Sequence, residues 1–243
     1  MKKITLLCIL FSLLSSHLYG ESHEDVKKYI SKAESLFLKQ CNEEKDISSC
    51  SQLMHRYDIG YFPSEDSFES TRIYREKYYK FSEEACIKGD FEACRIWHDY
   101  LSGNRKDLDK AAKVKDRIRM LIKKQLTSND PVTLYLLGFE YRYQREDHKK
   151  ADQLFRSSCE LGYFGGCASV SDSKLNKKGI MLAEQLCNEG NGDACSYLGR
   201  ESVKDEENPD PKESERQYQF YKKGCDLGHA ESCLETATLT KYR

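Results

Sequence analysis

Cysteines are the residues whose spacing in this chain most clearly indicates chemistry. Eleven are present, and after Cys8 in the apolar N-terminal run the other ten form five close pairs: Cys41 and Cys50, Cys86 and Cys94, Cys159 and Cys167, Cys187 and Cys195, Cys225 and Cys233. A zinc site favours four ligands with C-x-x-C spacing, and a redox catalyst favours C-x-x-C with an exposed thiol of low pKa. Neither pattern occurs, so we predict five structural disulfides.

Serine and histidine could support hydrolysis, but no arrangement of them in the sequence identifies a catalytic group. An acylating serine next to lysine has the signature S-x-x-K, accompanied by S-D-N and K-T-G. Ser171 to Lys174 is the single S-x-x-K, and both companion motifs are missing. No H-x-x-x-H or H-E-x-x-H occurs among the histidines after the N-terminal run, which are His23, His55, His98, His148 and His229. We therefore assign no catalytic residue and no metal ligand.

The sequence contains no motif that indicates cofactor binding or nucleic-acid binding. There is no G-x-x-x-x-G-K-S/T, so no cofactor is expected. The formal net charge is −1, and basic residues occur as scattered pairs such as Lys149-Lys150 rather than as a concentrated patch. Many aromatic residues have helical spacing, which is typical of core packing. Trp97 occupies the position that Leu198 takes in another segment, and this match favours a core position for Trp97.

The N-terminus has the pattern of an export signal. Lys2 and Lys3 precede the apolar run from Ile4 to Leu14, and Tyr19-Gly20 precede a polar segment. Residues 1–20 are therefore predicted to be a signal peptide, which makes the protein exported, either periplasmic or secreted. No later stretch approaches the roughly 20 apolar residues of a membrane-spanning helix, so we expect no integral membrane segment.

The cysteine pairs lie in a repeated frame that predicts helical hairpins. Four of the five pairs read C-x-x-G-x-x-x-x-C, with glycine at Gly89, Gly162, Gly190 and Gly228. Glycine suits the left-handed position that ends a helix, and the second cysteine then falls in the first turn of the returning helix. Each hairpin would be stapled at its closed end. The first pair, Cys41 and Cys50, is spaced differently and has Glu44 in place of the glycine.

A cysteine-free hairpin fits between the second and fourth cysteine pairs. Leu126 and Leu134 have the same spacing as the bridged cysteines, and Leu137-Gly138 match Leu198-Gly199. Asp130-Pro131 and Asp210-Pro211 are typical helix starts, and the short step from Cys167 to Cys195 indicates an abbreviated turn near residues 171–173. Six hairpins result, with approximate bounds 24–60, 70–101, 107–143, 148–172, 175–203 and 211–241.

The combined motif resembles a known family. Apolar residues before a cysteine, then C-x-x-G-x-x-x-A/G/S-C and often Leu-Gly, resemble the Sel-like repeat family, a relative of tetratricopeptide repeats, and especially its exported cysteine-rich subgroup from Helicobacter. The resemblance covers roughly residues 24 to 240. It implies an all-α fold, an α/α solenoid of about six helical hairpins over residues 21–243, right-handed and curved, with a concave face available to a partner.

Function is less sharply indicated than fold. An exported repeat array without a recognisable active site favours a binding scaffold, which would hold a protein, a peptide or a peptidoglycan-related ligand of the cell envelope, and we expect a monomer. Some exported members of the family are described as weak penicillin-binding or β-lactamase proteins, so a β-lactam hydrolase is the alternative that the resemblance implies. A secreted effector that engages host proteins would use the same scaffold in another location.

Overall fold

The computed structural model describes residues 23–103, 107–127, 129–203 and 210–241, and this part of the chain is helical without any strand. Helix α1 covers residues 23–42. The other α-helices are α2 Ile47–Asp58, α3 Ser67–Lys88, α4 Phe91–Gly103, α5 Leu108–Gln125, α6 Pro131–Phe139, α7 His148–Glu160, α8 Phe164–Ala168, α9 Ser173–Asn188, α10 Gly192–Glu201, α11 Pro211–Asp226 and α12 Ala230–Lys241. The predicted all-α fold with disulfides between neighbouring helices is confirmed.

The chain divides into two compact units. In its described part, unit 1 comprises residues 23–36 and 190–241, and unit 2 comprises residues 37–189. The division near residue 189 falls inside the predicted fifth hairpin, so the predicted single array over residues 21–243 stays a prediction. The predicted signal peptide lies outside the described residues. No helix within the described ranges is long and apolar enough to cross a membrane.

Helix starts follow a simple rule that the sequence carries at each hairpin turn. The residue four positions before the second cysteine, or before Leu134, precedes the second helix of every hairpin: Asp46, Asp90, Asp130, Tyr163, Asn191 and His229. Most of these side chains accept a hydrogen bond from the backbone N–H three residues later, as Asp90 does from Ala93 at 2.9 Å. Such caps satisfy N–H groups that a helix leaves unpaired at its first turn.

Three of the apolar clusters that pack the helices of unit 2 follow one another along the chain. The first surrounds the Cys86–Cys94 bridge and includes Trp97, which is 9% exposed, so the prediction that Trp97 is a core residue is confirmed. The second contains Phe91, Ile122, Leu134, Leu137 and Leu154. The third forms around Ala151, Phe155 and Val170.

The predicted match between Leu137-Gly138 and Leu198-Gly199 has a packing reason. A Cβ on Gly138 would lie against the buried ring of Phe155, nearest at Cε1, and a Cβ on Gly199 would lie 2.8 Å from the ring of Tyr221. Phe155 and Tyr221 both lie four residues before the first cysteine of the next pair. Glycine therefore allows an aromatic ring to pack closely against the helix in both units.

Unit 1 brings the start of α1 against α11. Lys32 Nζ lies 3.3 Å from Asp226 Oδ1, and Lys222 Nζ lies 3.1 Å from the other oxygen of the same carboxylate. Burial and a hydrogen bond with Tyr218 raise the pKa of Tyr29. In a solenoid each hairpin contacts its neighbours in sequence, so nearest-neighbour stacking does not predict this contact between the first helix and the last hairpin.

Two local expectations need correction. In the first hairpin the left-handed position is held by Lys45, with φ 56°, rather than by Glu44, because the extra residue of this pair precedes the turn and the frame is set by Cys50. The shortening of the fourth hairpin lies in helix α8 itself, which has five residues, and the connection after it is an ordinary short loop. Asp172 in that loop caps α9.

Candidate functional site

The predicted disulfide residues are brought together as expected. Four bridges lie within one unit or the other, with Cα–Cα distances of 4.4 to 4.9 Å: Cys41–Cys50, Cys86–Cys94, Cys159–Cys167 and Cys225–Cys233. Cys187 and Cys195 are disulfide-bonded as well. The bonded cysteines are buried, with exposures of 0 to 3%. A buried bridge joining neighbouring helices is a structural staple rather than an accessible redox centre.

The predicted repeat-turn glycines have the backbone conformation that the frame requires. Gly89, Gly162, Gly190 and Gly228 have φ between 89° and 99°, which is favourable only without a side chain. At the second hairpin the N–H of Gly89 donates to the carbonyl of Cys86 and that of Asp90 to the carbonyl of Ala85, both at 3.0 Å. This closure satisfies the last carbonyls of α3 and leads directly into α4.

The S-x-x-K segment shows no catalytic arrangement. Ser171 is exposed on the bend before α9, and the backbone N–H of Lys174 donates to the carboxylate of Asp172 at 3.0 Å. Hydrogen bonds from the backbone of Leu175 and Lys174, followed by Arg156, lower the pKa of Asp172. These residues start a helix, so the segment has a structural explanation.

One Asp–His–Ser row in unit 1 resembles a hydrolase triad. Asp193 Oδ1 lies 3.1 Å from His229 Nε2, and His229 Nδ1 lies 2.8 Å from Ser232 Oγ. However, Ser232 is fully buried, and its backbone N–H donates to the same Nδ1 at 3.2 Å. His229 occupies the capping position of α12, and its hydrogen bond to Asp193 lowers the pKa of that carboxyl. A nucleophilic serine must be accessible to substrate, and Ser232 is not. The three side chains therefore cap helix α12 rather than forming a catalytic triad.

The part of the chain that the structure describes contains no candidate metal site. Within it, no group of three or more histidine, cysteine, aspartate or glutamate side chains is placed to hold a metal ion. The cysteines there are disulfide-bonded, which removes the thiolates that zinc would require.

A cleft of about 270 Å³ in unit 2 combines apolar and charged groups. Its apolar side chains are Phe91, Leu136, Phe139 and Tyr143, and its charged ones are Glu92, Arg95 and Glu140. One wall belongs to α4 and the other to the end of α6 and the residues that follow it. Leu136 and Tyr143 are 38% and 66% exposed, whereas Phe91 is 4% exposed. Mixed lining of this kind suits an organic ligand with a polar end.

A π-helical turn, Glu140–Gln144, extends α6 and forms the outer wall of the cleft. The N–H of Arg145 donates to the carbonyl of Glu140 at 3.3 Å, and the N–H of Asp147 donates to that of Tyr141 at 2.8 Å. Glu146, between them, has a φ of 54°, an uncommon conformation for a residue with a side chain. Wide helical turns and left-handed residues of this kind are frequent at functional sites.

The charged groups of the cleft differ in how completely their hydrogen-bonding capacity is used. Arg95 donates to both carboxylate oxygens of Glu92, through Nη2 at 2.5 Å and Nε at 3.2 Å. That hydrogen bonding, with the charges of Glu92, Asp99 and Glu140, raises the pKa of Arg95 although burial opposes it. The side chain of Glu140 is only 11% exposed, and its Oε1 lies 3.5 Å from Arg145 Nε. Glu140 therefore keeps unused acceptor capacity in the cleft.

A wider groove of about 670 Å³ lies on another side of the cysteine-free hairpin. Its apolar lining is Leu126, Leu134, Leu154 and Leu161, and polar side chains of α7 such as Lys150 and Glu160 surround them. The groove is larger than the cleft, and none of its lining residues is aromatic. Both depressions were missed by sequence reasoning because they are built from side chains that are distant along the chain.

Comparison with known proteins does not identify the chain. No protein-family model and no curated protein sequence matches it. Among solved structures it is similar to the crystal structure of immunity protein Pa5087 from Pseudomonas aeruginosa, with a TM-score of 0.38, 15% sequence identity and 83% of each chain covered.

Proposed function

We propose that this protein is an exported binding scaffold whose cleft between α4 and the π-helical turn receives a segment of a protein, peptide or cell-envelope partner. The observation that carries the proposal is the cleft itself. Exposed Leu136 and Tyr143 lie beside a nearly buried carboxylate, Glu140, at an irregular helical turn. Apolar contact area with a few placed polar groups is the usual composition of a ligand site.

The staples support this proposal by supplying rigidity. A cleft that binds without refolding needs walls that keep their places when the ligand arrives. Helix α4, which provides Phe91, Glu92 and Arg95, is tied to α3 by the Cys86–Cys94 bridge. Oxidation of these cysteines is typical of proteins outside the cytoplasm, which agrees with the export that the N-terminal pattern predicts.

Chemical-shift mapping tests the proposal. The ¹⁵N-labelled, oxidised protein, purified after export, would be titrated with a panel of basic, acidic and neutral pentapeptides and with soluble peptidoglycan stem peptides. We expect at least one class to shift the amides of Phe91, Leu136 and Tyr143 with saturable binding. If no member of the panel shifts these amides at up to about 10 mM, the proposed site is wrong.

Matched variants separate the cleft from the rest of the surface. Leu136→Ala and Tyr143→Ala remove exposed side chains from the cleft, so folding should persist while binding weakens. Met120→Ala removes a side chain that is 71% exposed on α5 outside the cleft, and it should leave binding unchanged. Circular dichroism of all three variants would confirm that their helices are intact.

The weak β-lactam hydrolase that the family resemblance implies stays a prediction. Its test is turnover of a chromogenic cephalosporin by oxidised protein from a host lacking β-lactamases, with intact mass recorded on the same reaction. Turnover above the buffer rate, or a stable mass increase equal to the drug, would replace the scaffold proposal with an enzyme.

A further inference from the structure

We propose that the cleft receives a basic side chain, a lysine or arginine of the partner, between the carboxylate of Glu140 and the ring of Tyr143. This inference rests on the proposed binding function and names the chemistry of the group that is bound. Three observations carry it: the balance of charge in the cleft, the exposed aromatic face, and the way in which the chain holds its own lysines.

Charge in the cleft favours a cation. Two carboxylates, Glu92 and Glu140, face one guanidinium, Arg95. Arg95 donates to both oxygens of Glu92, so these two charges largely neutralise each other. The second carboxylate, Glu140, forms an ion pair with Arg145, but at 3.5 Å this contact is long for a charge-assisted hydrogen bond. An ammonium or guanidinium entering the cleft would give this nearly buried carboxylate a close partner.

The aromatic wall supplies the second half of a cation site. Phe139 and Tyr143 lie one helical turn apart with ring centroids 5.8 Å apart and planes inclined by 9°. Phe139 also contacts the ring of Phe155 at 5.2 Å, so its position is fixed from the core side. Tyr143 is 66% exposed and leaves aromatic surface available to a ligand. A cation within about 6 Å of such a ring is attracted by the negative potential of its face.

The chain itself holds two lysines in this way. Lys110 Nζ lies 4.9 Å from the ring centroid of Trp97 and 2.6 Å from Glu83 Oε1. Lys45 Nζ lies 5.4 Å from the ring centroid of Phe81 and 2.9 Å from Glu84 Oε2. In both places an aromatic ring and a carboxylate hold an ammonium group. Phe81 and Glu84 lie on one helix, α3, whereas Trp97 and Glu83 lie on α4 and α3. Glu140 and Tyr143 offer the same two groups, a carboxylate and an aromatic ring, on one helical segment. The cleft provides the space for a cationic group of the partner between them.

The test compares peptides that differ only in charge. Acetylated and amidated Gly-Ala-Lys-Ala-Gly would be titrated into ¹⁵N-labelled oxidised protein, followed by the same peptide with norleucine, and then with glutamate, in place of lysine. Norleucine keeps most of the apolar stem and removes the ammonium. We expect the lysine peptide to shift the amides around Glu140 and Tyr143, and the norleucine peptide to bind about tenfold more weakly.

Variants assign the effect to the two groups. Glu140→Gln keeps the shape of the side chain and removes its charge, so affinity for the lysine peptide should fall about tenfold while the norleucine peptide is unaffected. Tyr143→Leu should also lower the affinity for the lysine peptide more than the affinity for the norleucine peptide. Glu160→Gln, on the exposed surface of α7 at the groove, is the matched control and should change neither affinity.

Each outcome has a distinct meaning. Equal binding of the lysine and norleucine peptides at the cleft would overturn the cation inference and leave the proposed function standing. Tighter binding of the glutamate peptide would overturn it in favour of recognition by Arg95. If none of the three peptides shifts the cleft amides while a peptidoglycan stem peptide does, the function stands without the cation site. If nothing shifts them, both proposals fall.

Discussion

The second and third hairpins of this chain solve the same structural problem in different ways. In the second, Cys86 and Cys94 tie the ends of α3 and α4, and Gly89 reverses the chain between them. In the third, α5 and α6 have no bridge, and Leu134 packs with Ile122 in the apolar cluster that follows. A bridge fixes a hairpin end covalently, whereas the third hairpin depends on side-chain packing from the helices around it.

The difference coincides with the location of the two depressions. Leu136, Phe139, Glu140 and Tyr143 of the third hairpin line the cleft, and Leu126 and Leu134 line the groove. Its second helix also ends in the π-helical turn. The stapled second hairpin thus supplies a rigid wall of the cleft through α4, and the hairpin without a bridge supplies the irregular wall on which the proposed function rests.

Reduction of the disulfides should have the largest effect. The chain-entropy model gives about 2.6 kcal/mol for closing a loop of about nine residues, so five bridges contribute roughly 13 kcal/mol before any native-state strain is subtracted. We expect thermal unfolding in a strong reductant to shift to much lower temperature or to lose cooperativity. The paired variant Cys86→Ala with Cys94→Ala should lose about 2.6 kcal/mol of unfolding free energy alone. An unchanged melting curve after complete reduction would contradict the stabilising role of the bridges.

Introducing a charge into the apolar cluster of the third hairpin should have the second-largest effect on stability. Leu134 is 5% exposed, and Leu134→Asp would place an unpaired carboxylate among leucine side chains. We expect a loss of about 4 kcal/mol in chemical denaturation, because the charge finds no partner there. Ser171→Ala, on an exposed bend, is the control and should change stability by less than about 0.5 kcal/mol. Equal melting points for the two variants would mean that packing at Leu134 does not hold this hairpin.

Adding one methyl group to Gly138 should have an intermediate effect. Its Cβ would meet the fully buried ring of Phe155, which is held in place by its cluster. We expect Gly138→Ala to lower the unfolding free energy by about 1 to 3 kcal/mol, although alanine is the better helix former. Gly103→Ala, with open space around its Cβ, should be neutral or slightly stabilising. The reverse order would show that the close approach of α6 and α7 is not required.

Removing the cap of α6 should have the smallest effect, and it should depend on pH. Asp130 accepts from the N–H of Thr133 at 2.7 Å, and hydrogen bonding to Thr133 lowers the pKa of this carboxyl. Its folded-state pKa lies below the unfolded value, so the cap stabilises fully above about pH 4 and is lost as pH falls through the lowered pKa. Asp130→Ala should cost about 1 kcal/mol at pH 6.

The same cap can be compared between the two hairpins. Asp90 caps α4 in the stapled hairpin, where the bridge holds the first turn of α4 against α3. We expect Asp90→Ala to cost less than Asp130→Ala at pH 6, and the cost of Asp130→Ala to shrink by pH 2.5. A constant cost for Asp130→Ala across this pH range would exclude the ionised carboxylate as the capping group.

Much of the fold was accessible from sequence because it is encoded locally. The frame of two cysteines and a glycine specifies a helix end, a left-handed residue and a helix start within a few positions, and the structure contains these features at Gly89, Gly162, Gly190 and Gly228. Leu134 could be aligned with the second cysteines because packing and bridging occupy the same place. Counting back from Cys50 instead of forward from Cys41 would have identified Lys45 as the left-handed residue.

The candidate site could not be predicted from the sequence, because tertiary packing creates it. Phe91 and Tyr143 are far apart in sequence and meet only after α4 and α6 have packed. A π-helical turn requires one extra residue per turn, and Glu140–Gln144 carries no residue type that specifies it. The Asp193–His229–Ser232 row is likewise a product of packing between α10 and α12. Local patterns predict helices and their ends, whereas the surfaces between helices depend on tertiary contacts.

Hydrogen–deuterium exchange of the oxidised protein, with and without the lysine pentapeptide, tests most directly the claim that the unstapled hairpin carries the binding site. We expect slower exchange on binding within residues 91–95 and 136–143, and no change at the bridged turns around residues 41–50 and 159–167. Protection around residues 41–50 or 159–167, or no protection of the cleft under conditions where the peptide is bound, would contradict this claim.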